Sequence, residues 1–349
     1  MAATPSGAKT HTPSGSATAT STWQKSISWQ RHQVGLIYPT VAVASSDGSG
    51  IVVAGYPGNL FSSADSGAGW ANSYQQLHID GLASSSSTAG LIAYSNSAGY
   101  NDVSTSSDGG ATWGISLAYN DTGEAQTWSG VASSSNGTRL VAVSRYSNAT
   151  EPGYLFTSAD SGASWSYNES LRNSWRAVAS SSDGTRLIAC TDLNGVYYGR
   201  IYLSADSGES WQAVGDPTMA RTWVAVASSS NGTVLAAISA TSGNFQVTLS
   251  TDSGSTWGRG TSLGWSPQAD VVPPLALSGD GTTVLAVGGQ QHDTVYMSWN
   301  TGATWRAGVP FDSSITALAL SRNGSFSVAT DGFLVVYTGT WTSPPTGGG

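Results

Sequence analysis

Residues 204–211 read SADSGESW: two acids, a glycine, three hydroxyls and a tryptophan in eight positions. Acids and hydroxyls at this density can hold a calcium ion or supply a general acid, and Asp206 would serve either purpose. The same words recur as SADSGAGW at 63–70, SSDGGATW at 106–113, SADSGASW at 158–165, STDSGSTW at 250–257 and SWNTGATW at 298–305. The acid position is thus Asp65, Asp108, Asp160, Asp206, Asp252 and Asn300, at spacings of 43, 52, 46, 46 and 48 residues. A turn tolerates the asparagine better than a general acid would, and the further acids and terminal glutamate of an EF-hand loop are missing. The chemistry fits a turn. A short carboxylate accepts N–H groups across its own loop, glycine takes a conformation other residues resist, and the tryptophan anchors the loop in a sheet.

The elements that carry these turns are short strands. Hairpins precede them: GVASSSNGTRLVAVS at 130–144, AVASSSDGTRLIACT at 177–191 and AVASSSNGTVLAAIS at 225–239, with variants from Ala42, Ala276 and Ala319. Asn-Gly or Asp-Gly between apolar runs marks a tight hairpin, which in its two-residue form needs positive φ at both central residues. About four short strands per period of this length, with few helix signals, predict an all-β, seven-bladed β-propeller. The last unit, from Ile315, keeps three strands but loses the SxDxGxxW turn. STWQKS at 21–26 looks like the missing half, so an N-terminal strand is expected to close the last blade beside residues 333–338, removing open sheet edges. The organisation read from the chain is a flexible Ser/Thr/Pro-rich arm over 1–20, one propeller over 21–341 and a flexible tail over 342–349.

The repeated turn resembles the Asp-box, S-x-D-x-G-x-T-W, of the sialidase-like and related propellers, and the resemblance spans residues 40 to 341. It implies a turn between the third and fourth strands of each blade, on the face opposite the usual ligand site. Sialidases add three arginines, a Tyr–Glu nucleophile pair and an acid–base Asp. Their Arg-Ile-Pro motif is absent, the corresponding stretch being QRHQVGLIYPT. The motif also resembles that of the photosystem II assembly factor, a protein-binding Asp-box propeller with an arginine-rich patch, which implies kinship in fold. This chain has Arg on blades three to five without a dense patch.

On the implied ligand face the sequence offers a column before each inner strand: Ile79, Trp128, Trp175, Trp223, Val272 and Ile315. It can pack between blades, or the tryptophans can offer stacking surfaces to a sugar or a partner chain. Arg145, Arg176 and Arg200, with Tyr198, come from the same region and complete the candidate ligand site. Catalysis finds less support. The only glutamates are Glu124, Glu151, Glu169 and Glu209, and carboxylate pairs drawn from Asp102, Glu151, Asp192 or Asp293 carry no signature. No catalytic residue and no cofactor are assigned, and the four histidines lack metal-ligand spacing.

The bulk numbers bound the partners. With 13 Lys and Arg and a net charge of −8, the chain lacks the clustered cations that nucleic acid requires, and no apolar run is long enough for a membrane span. Cys190 is the single cysteine, in an apolar strand, and reads as an inert core thiol. Six N-x-S/T sequons occur. Asn136, Asn231 and Asn323 sit in hairpin turns where geometry explains them, whereas Asn120, Asn148 and Asn168 are candidate glycosylation sites. These favour an extracellular or cell-surface protein. The reading is a non-catalytic recognition or structural propeller for a glycan or extracellular protein, the alternatives being a sialidase-like exo-glycosidase and a structural subunit of a larger assembly.

Overall fold

The computed structural model describes residues 26–34, 38–56, 58–74, 78–96, 101–118, 126–145, 152–192, 199–214, 221–241, 244–264, 273–289, 291–308, 310–331 and 335–342. The arm over 1–20, Tyr198, Asn120, Asn148, Val272 and the end of the chain after Thr342 lie outside these residues. Seven four-stranded antiparallel sheets form the blades, spanning 38–74, 81–117, 128–167, 175–214, 222–262, 275–307 and 315–342. A seven-bladed β-propeller is the result. The helical content described is the single 3-10 turn Glu169–Leu171, and no described helix is long and apolar enough to cross a membrane.

The seventh blade is closed by an N-terminal strand, but by a different one from that expected. Ser26–Gln33 pairs along the whole of Val335–Thr342, from Ser26 opposite Thr342 to Gln33 opposite Val335. Alternation decides between the two segments. In Ser26–Gln33 the side chains of Ile27 and Trp29 both reach the core, and Trp29 packs edge-on to Phe311 at 5.4 Å. STWQKS would place Lys25 on the face that carries Trp23.

In each blade the second strand is the most deeply buried: LVAVS, LIACT and VLAVG lack an exposed residue. The innermost strands are only half-buried because they also face the central channel. The first hairpins differ from the expected geometry too. Positive φ is confined to one position, a glycine as at Gly137 (74°) and Gly184 (72°) in every blade but the second, where Thr88 takes it at 59°. The residue before it uses its side chain instead. Asn136 Oδ1 accepts from the Ser134 hydroxyl at 2.8 Å and from the Thr138 N–H at 3.1 Å, which holds a longer loop without a second strained residue. The amide oxygens of Asn136, Asn231 and Asn323 are all used in this way.

The SxDxGxxW turns join the third and fourth strands. In the fourth blade Ser204 Oγ donates to Asp206 Oδ1 at 2.7 Å and accepts the Gly208 N–H at 2.9 Å. Asp206 Oδ1 also accepts the Ser210 N–H at 2.9 Å, and Trp211 Nε1 donates to the Gly208 carbonyl at 3.1 Å. Ser207 and Gly208 stand at φ 64° and 93°, and a Cβ on Gly208 would meet Thr157 of the preceding blade at 2.6 Å. Asn300 fills the same place, accepting the Thr304 N–H while its Nδ2 donates to the Thr304 hydroxyl. Asp206 is therefore a turn residue.

These turns and the first hairpins share one face. Ser207 N–H donates to Thr185 O, Ser161 to Thr138 and Ser253 to Thr233, each at 2.9 Å. The hairpins are joined in turn around the channel. Peptide N–H groups run Ser46 to Ser86 O, Ser86 to Ser135, Ser135 to Ser182, Ser182 to Ser230, Ser230 to Gly279 and Gly279 to Arg322, all at 2.7–2.8 Å. Asn323 N–H closes the circle on Ser46 O at 3.3 Å.

Two expectations follow. Deleting residues 1–33 removes a whole strand with Ile27 and Trp29, and should lower the melting temperature by on the order of 5 °C or more; an unchanged melt would show the closing strand to be dispensable. Acid sensitivity is the second. Hydrogen bonds from turn hydroxyls and amides hold Asp108, Asp160, Asp206 and Asp252 down at about 2, against an ordinary 3.8. Carboxylates depressed by folding stabilise above their unfolded value, and this is lost as pH falls from about 4 through about 2. Burial lowers His32 and His292 as well, so a separate loss begins below about 6.5. Asp206→Asn with Asp252→Asn, copying Asn300, should fold and show a smaller loss between pH 4 and 2 in thermal melts. A limb of unchanged size would contradict this assignment.

Candidate binding face

Opposite the turns, the channel opens as a funnel of about 520 Å³. Its wall is built from one recurrent device. In five blades the inner strand carries a bulge, directly after the column residue in four of them and after Pro39 in the first, and the unpaired positions are Thr40, Ser129, Arg176, Val224 and Thr316. A bulge turns a side chain out of the sheet's alternation. Here it brings those residues to the funnel wall. Three of them bind the blades together: Thr40 Oγ1 donates to Ile79 O at 3.2 Å, Ser129 Oγ to Trp175 O at 2.7 Å and Thr316 Oγ1 to Pro39 O at 2.7 Å. Arg176 occupies the same position with a guanidinium in place of the short hydroxyl.

Arg176 is half-buried among charged neighbours. Burial lowers its affinity for a proton, the positive charge of Arg145 lowers it further, and Asp192 acts in the opposite sense. Arg145 Nη2 is paired with Asp192 Oδ2, whose side chain is 6% exposed. Among the described residues Arg176 makes no ion pair. Across the funnel Asp80 Oδ2 accepts the Asn96 N–H at 2.7 Å and lies 3.3 Å from His78 Nδ1. Tyr94, in the same funnel wall, responds to both charges: burial and the charge of Asp80 push its hydroxyl up to about 12, against the pull of Arg176. Tyr38 and Tyr56, opposite each other on the same face of the first blade, are each 56% exposed.

The tryptophan column packs between blades and offers no stacking faces at Trp128 or Trp175. Trp128 is 2% exposed, and its backbone is clamped by Asn96, which accepts the Trp128 N–H at 2.8 Å and donates to its carbonyl at 2.9 Å. Trp175 is fully buried, edge-on to Tyr202 at 4.9 Å and beside Trp211. Trp223 is half-buried against the core between the fourth and fifth blades. The physical reason is position. The column residue precedes the bulge, so its side chain points into the sheet stack while the next residue faces the funnel.

Of the expected site, Arg145, Arg176 and the almost wholly buried Trp128 line the funnel, and Asp192 joins them. Arg200 is fixed through its backbone, its N–H donating to Thr191 Oγ1 at 2.9 Å, and it is not part of the funnel wall. Asp80 and Tyr38 were not singled out from the sequence, whereas Tyr56, Tyr94 and Asn96 belong to the variable stretches GYPGN and YSNSAGYND between second and third strands, whose aromatic and planar polar residues suit a hydroxyl-rich ligand. The signal available was the residue following the column, where Asp80 and Arg176 replace the hydroxyls of other blades. Asn168 is exposed and caps the 3-10 turn, its side chain accepting the Ser170 N–H at 2.9 Å.

No protein-family model and no curated protein matches the sequence. Solved structures do. YCF48 bound to D1 peptide is 15% identical, covering 89% of this chain and 96% of that one with a TM-score of 0.61. Kuenenia stuttgartiensis hydrazine synthase is 15% identical over 90% and 98%, with a TM-score of 0.63. The RRP9 WD40 repeats are 13% identical over 90% and 97%, with a TM-score of 0.62. At these identities the likeness is one of fold.

Replacing Trp175 with alanine should cost about 3–5 kcal/mol of stability, as expected for emptying a fully buried aromatic site. Chemical denaturation measures it. A cost below about 1 kcal/mol would mean that the side chain is not a packing element.

Proposed function

We propose that this chain is a non-catalytic recognition propeller that holds a segment of a partner protein across the funnel mouth. Arg176 carries the reading. A half-buried guanidinium at a bulge, with its neighbour Arg145 already paired to Asp192, suits a carboxylate brought by a partner. Tyr38 and Tyr56 offer apolar surface to the same segment. One propeller of similar fold, YCF48, has been solved bound to D1 peptide, which supports a peptide ligand by analogy of fold.

A glycan is the second reading, favoured by the exposed rings of Tyr38 and Tyr56. It draws nothing from Trp128 or Trp175, whose faces are covered. The six turns are read as Asp-boxes, supported by their shared Ser–Asp–Gly hydrogen bonding. We infer an extracellular or cell-surface protein, on the sequons at Asn120, Asn148 and Asn168 and the low content of charged residues.

An array of acidic peptides, followed by titration of the best binder, tests the function. Arg176→Gln should weaken that peptide about tenfold or more, for a lost charged hydrogen bond, and leave the melting temperature close to that of the parent. Peptide binding indifferent to Arg176→Gln, or a silent peptide array beside glycan binding, would overturn it.

A further inference from the structure

The opposite mouth of the channel holds a second feature, remote from the funnel. The residues joined in the circle of hairpins are Ser46, Ser86, Ser135, Ser182, Ser230, Gly279 and Arg322. Five blades carry serine there; the sixth and seventh do not. The two exceptions are neighbours in the circle, and they are sterically linked. Arg322 Nη1 reaches over the sixth blade to Ser230 Oγ at 3.3 Å. A Cβ on Gly279 would lie 2.5 Å from that Ser230 Oγ, 2.8 Å from the Arg322 carbonyl and 3.2 Å from Arg322 Cβ. A serine at 279, as in the other blades, would obstruct the arginine's path. Glycine in one blade therefore makes room for arginine in the next.

The guanidinium lies at the wall of a cup of about 190 Å³, lined also by Ser84, Ser86, Ser180, Ser228 and Ser230. That volume is roughly six waters' worth. Arg322 is half-buried, burial lowers its affinity for a proton, and no carboxylate is paired with it among the described residues. Ser180 and Ser228 donate to the carbonyls of Ser181 and Ser229, so their hydroxyl protons are committed. Ser230 Oγ receives the arginine and keeps its own proton to donate; Ser86 lines the same wall. A cation short of a counter-charge, in a small cup with hydroxyl donors, matches the requirements of an oxyanion.

We propose that Arg322, with Ser230 and Ser86, forms a binding site for a small oxyanion of the phosphate–sulfate class at the narrow mouth of the channel. The occupant would stand where a carboxylate partner is missing, and would join the fifth, sixth and seventh blades across the channel end.

The test uses the intact chain, titrated with sodium phosphate or sulfate against chloride at matched ionic strength and followed by calorimetry and thermal melting. Saturable binding with a rise in melting temperature is expected. Arg322→Ser installs the residue of the other blades and should fold, while weakening phosphate about tenfold or more. Gly279→Ser should weaken it by obstructing the arginine, and Arg176→Gln, in the funnel, should leave it unchanged. Where Arg322→Ser fails to fold, a phosphate-dependent shift of the Arg322 Nε–H resonance in the parent protein replaces it. Phenyl phosphate as competitor separates the sources: failure to compete assigns the cup to the free ion, and competition to a phosphate carried on a larger molecule. No saturable binding beyond chloride, an unmoved Arg322 resonance, or full affinity in folded Arg322→Ser would each overturn the proposal.

Discussion

Seven hairpins pass a peptide hydrogen from one to the next around the channel, and the last returns it to the first at Ser46. A circle of this kind fixes the number of blades, because each hairpin must reach its neighbour at hydrogen-bond length and the sum must close. The closing step differs from the others: Asn323 rather than Arg322 supplies the N–H, and at 3.3 Å it is the longest of the set. Chain connectivity cannot secure that seam, since the seventh blade precedes the first only in space. Ser26–Gln33 secures it instead, adding a strand from the N-terminal side to a blade built otherwise from the chain's end. Backbone circle and borrowed strand thus serve the same constraint, one at the channel and one at the rim.

The SxDxGxxW turns depend on that arrangement and extend it outward. Each turn donates an N–H to the hairpin of its own blade and sets its glycine against the preceding one, so the face is bonded both within and between blades. Their carboxylates lie at the surface, yet their oxygens are engaged by the turn's own hydroxyls and amides. This gives the repeated acids a structural reason to recur. They cap N–H groups that the tight, left-handed turn would otherwise leave without partners.

The repeat made the architecture legible in the sequence, because its turns and hairpins are written locally within a few residues. Asp206 could be assigned to a turn from the repeat, from Asn300 in the sixth copy and from the missing acids of a calcium loop. What a repeat does not carry is the direction in which a side chain leaves the sheet. Trp128 and Trp175 stand one residue ahead of the bulge and are buried, whereas Arg176 stands on it and faces the funnel. A shift of one residue exchanges core for surface, and nothing in the local pattern WRAVAS announces the bulge. The closing strand was misplaced for a related reason. STWQKS and SISWQRHQ share Trp-Gln, and only the pairing with Val335–Thr342 shows which alternation meets the core.

The informative positions are consequently those at which one blade departs from the others. Where seven blades meet the same packing demand, a residue that breaks the pattern is not explained by that demand. Arg176 stands where three blades place a hydroxyl that bonds the next blade, and it gives up that bond. Gly279 and Arg322 break the serine circle together, and the glycine is intelligible only through the arginine it accommodates. Thr88 is a third departure, a β-branched residue at φ 59° where other hairpins place glycine, and such a conformation carries strain. Two of these departures put a guanidinium at opposite ends of one channel without giving either an ion pair among the described residues. In an acidic chain with few cations, these are two places where burial presses on an arginine and the described residues supply no ion pair.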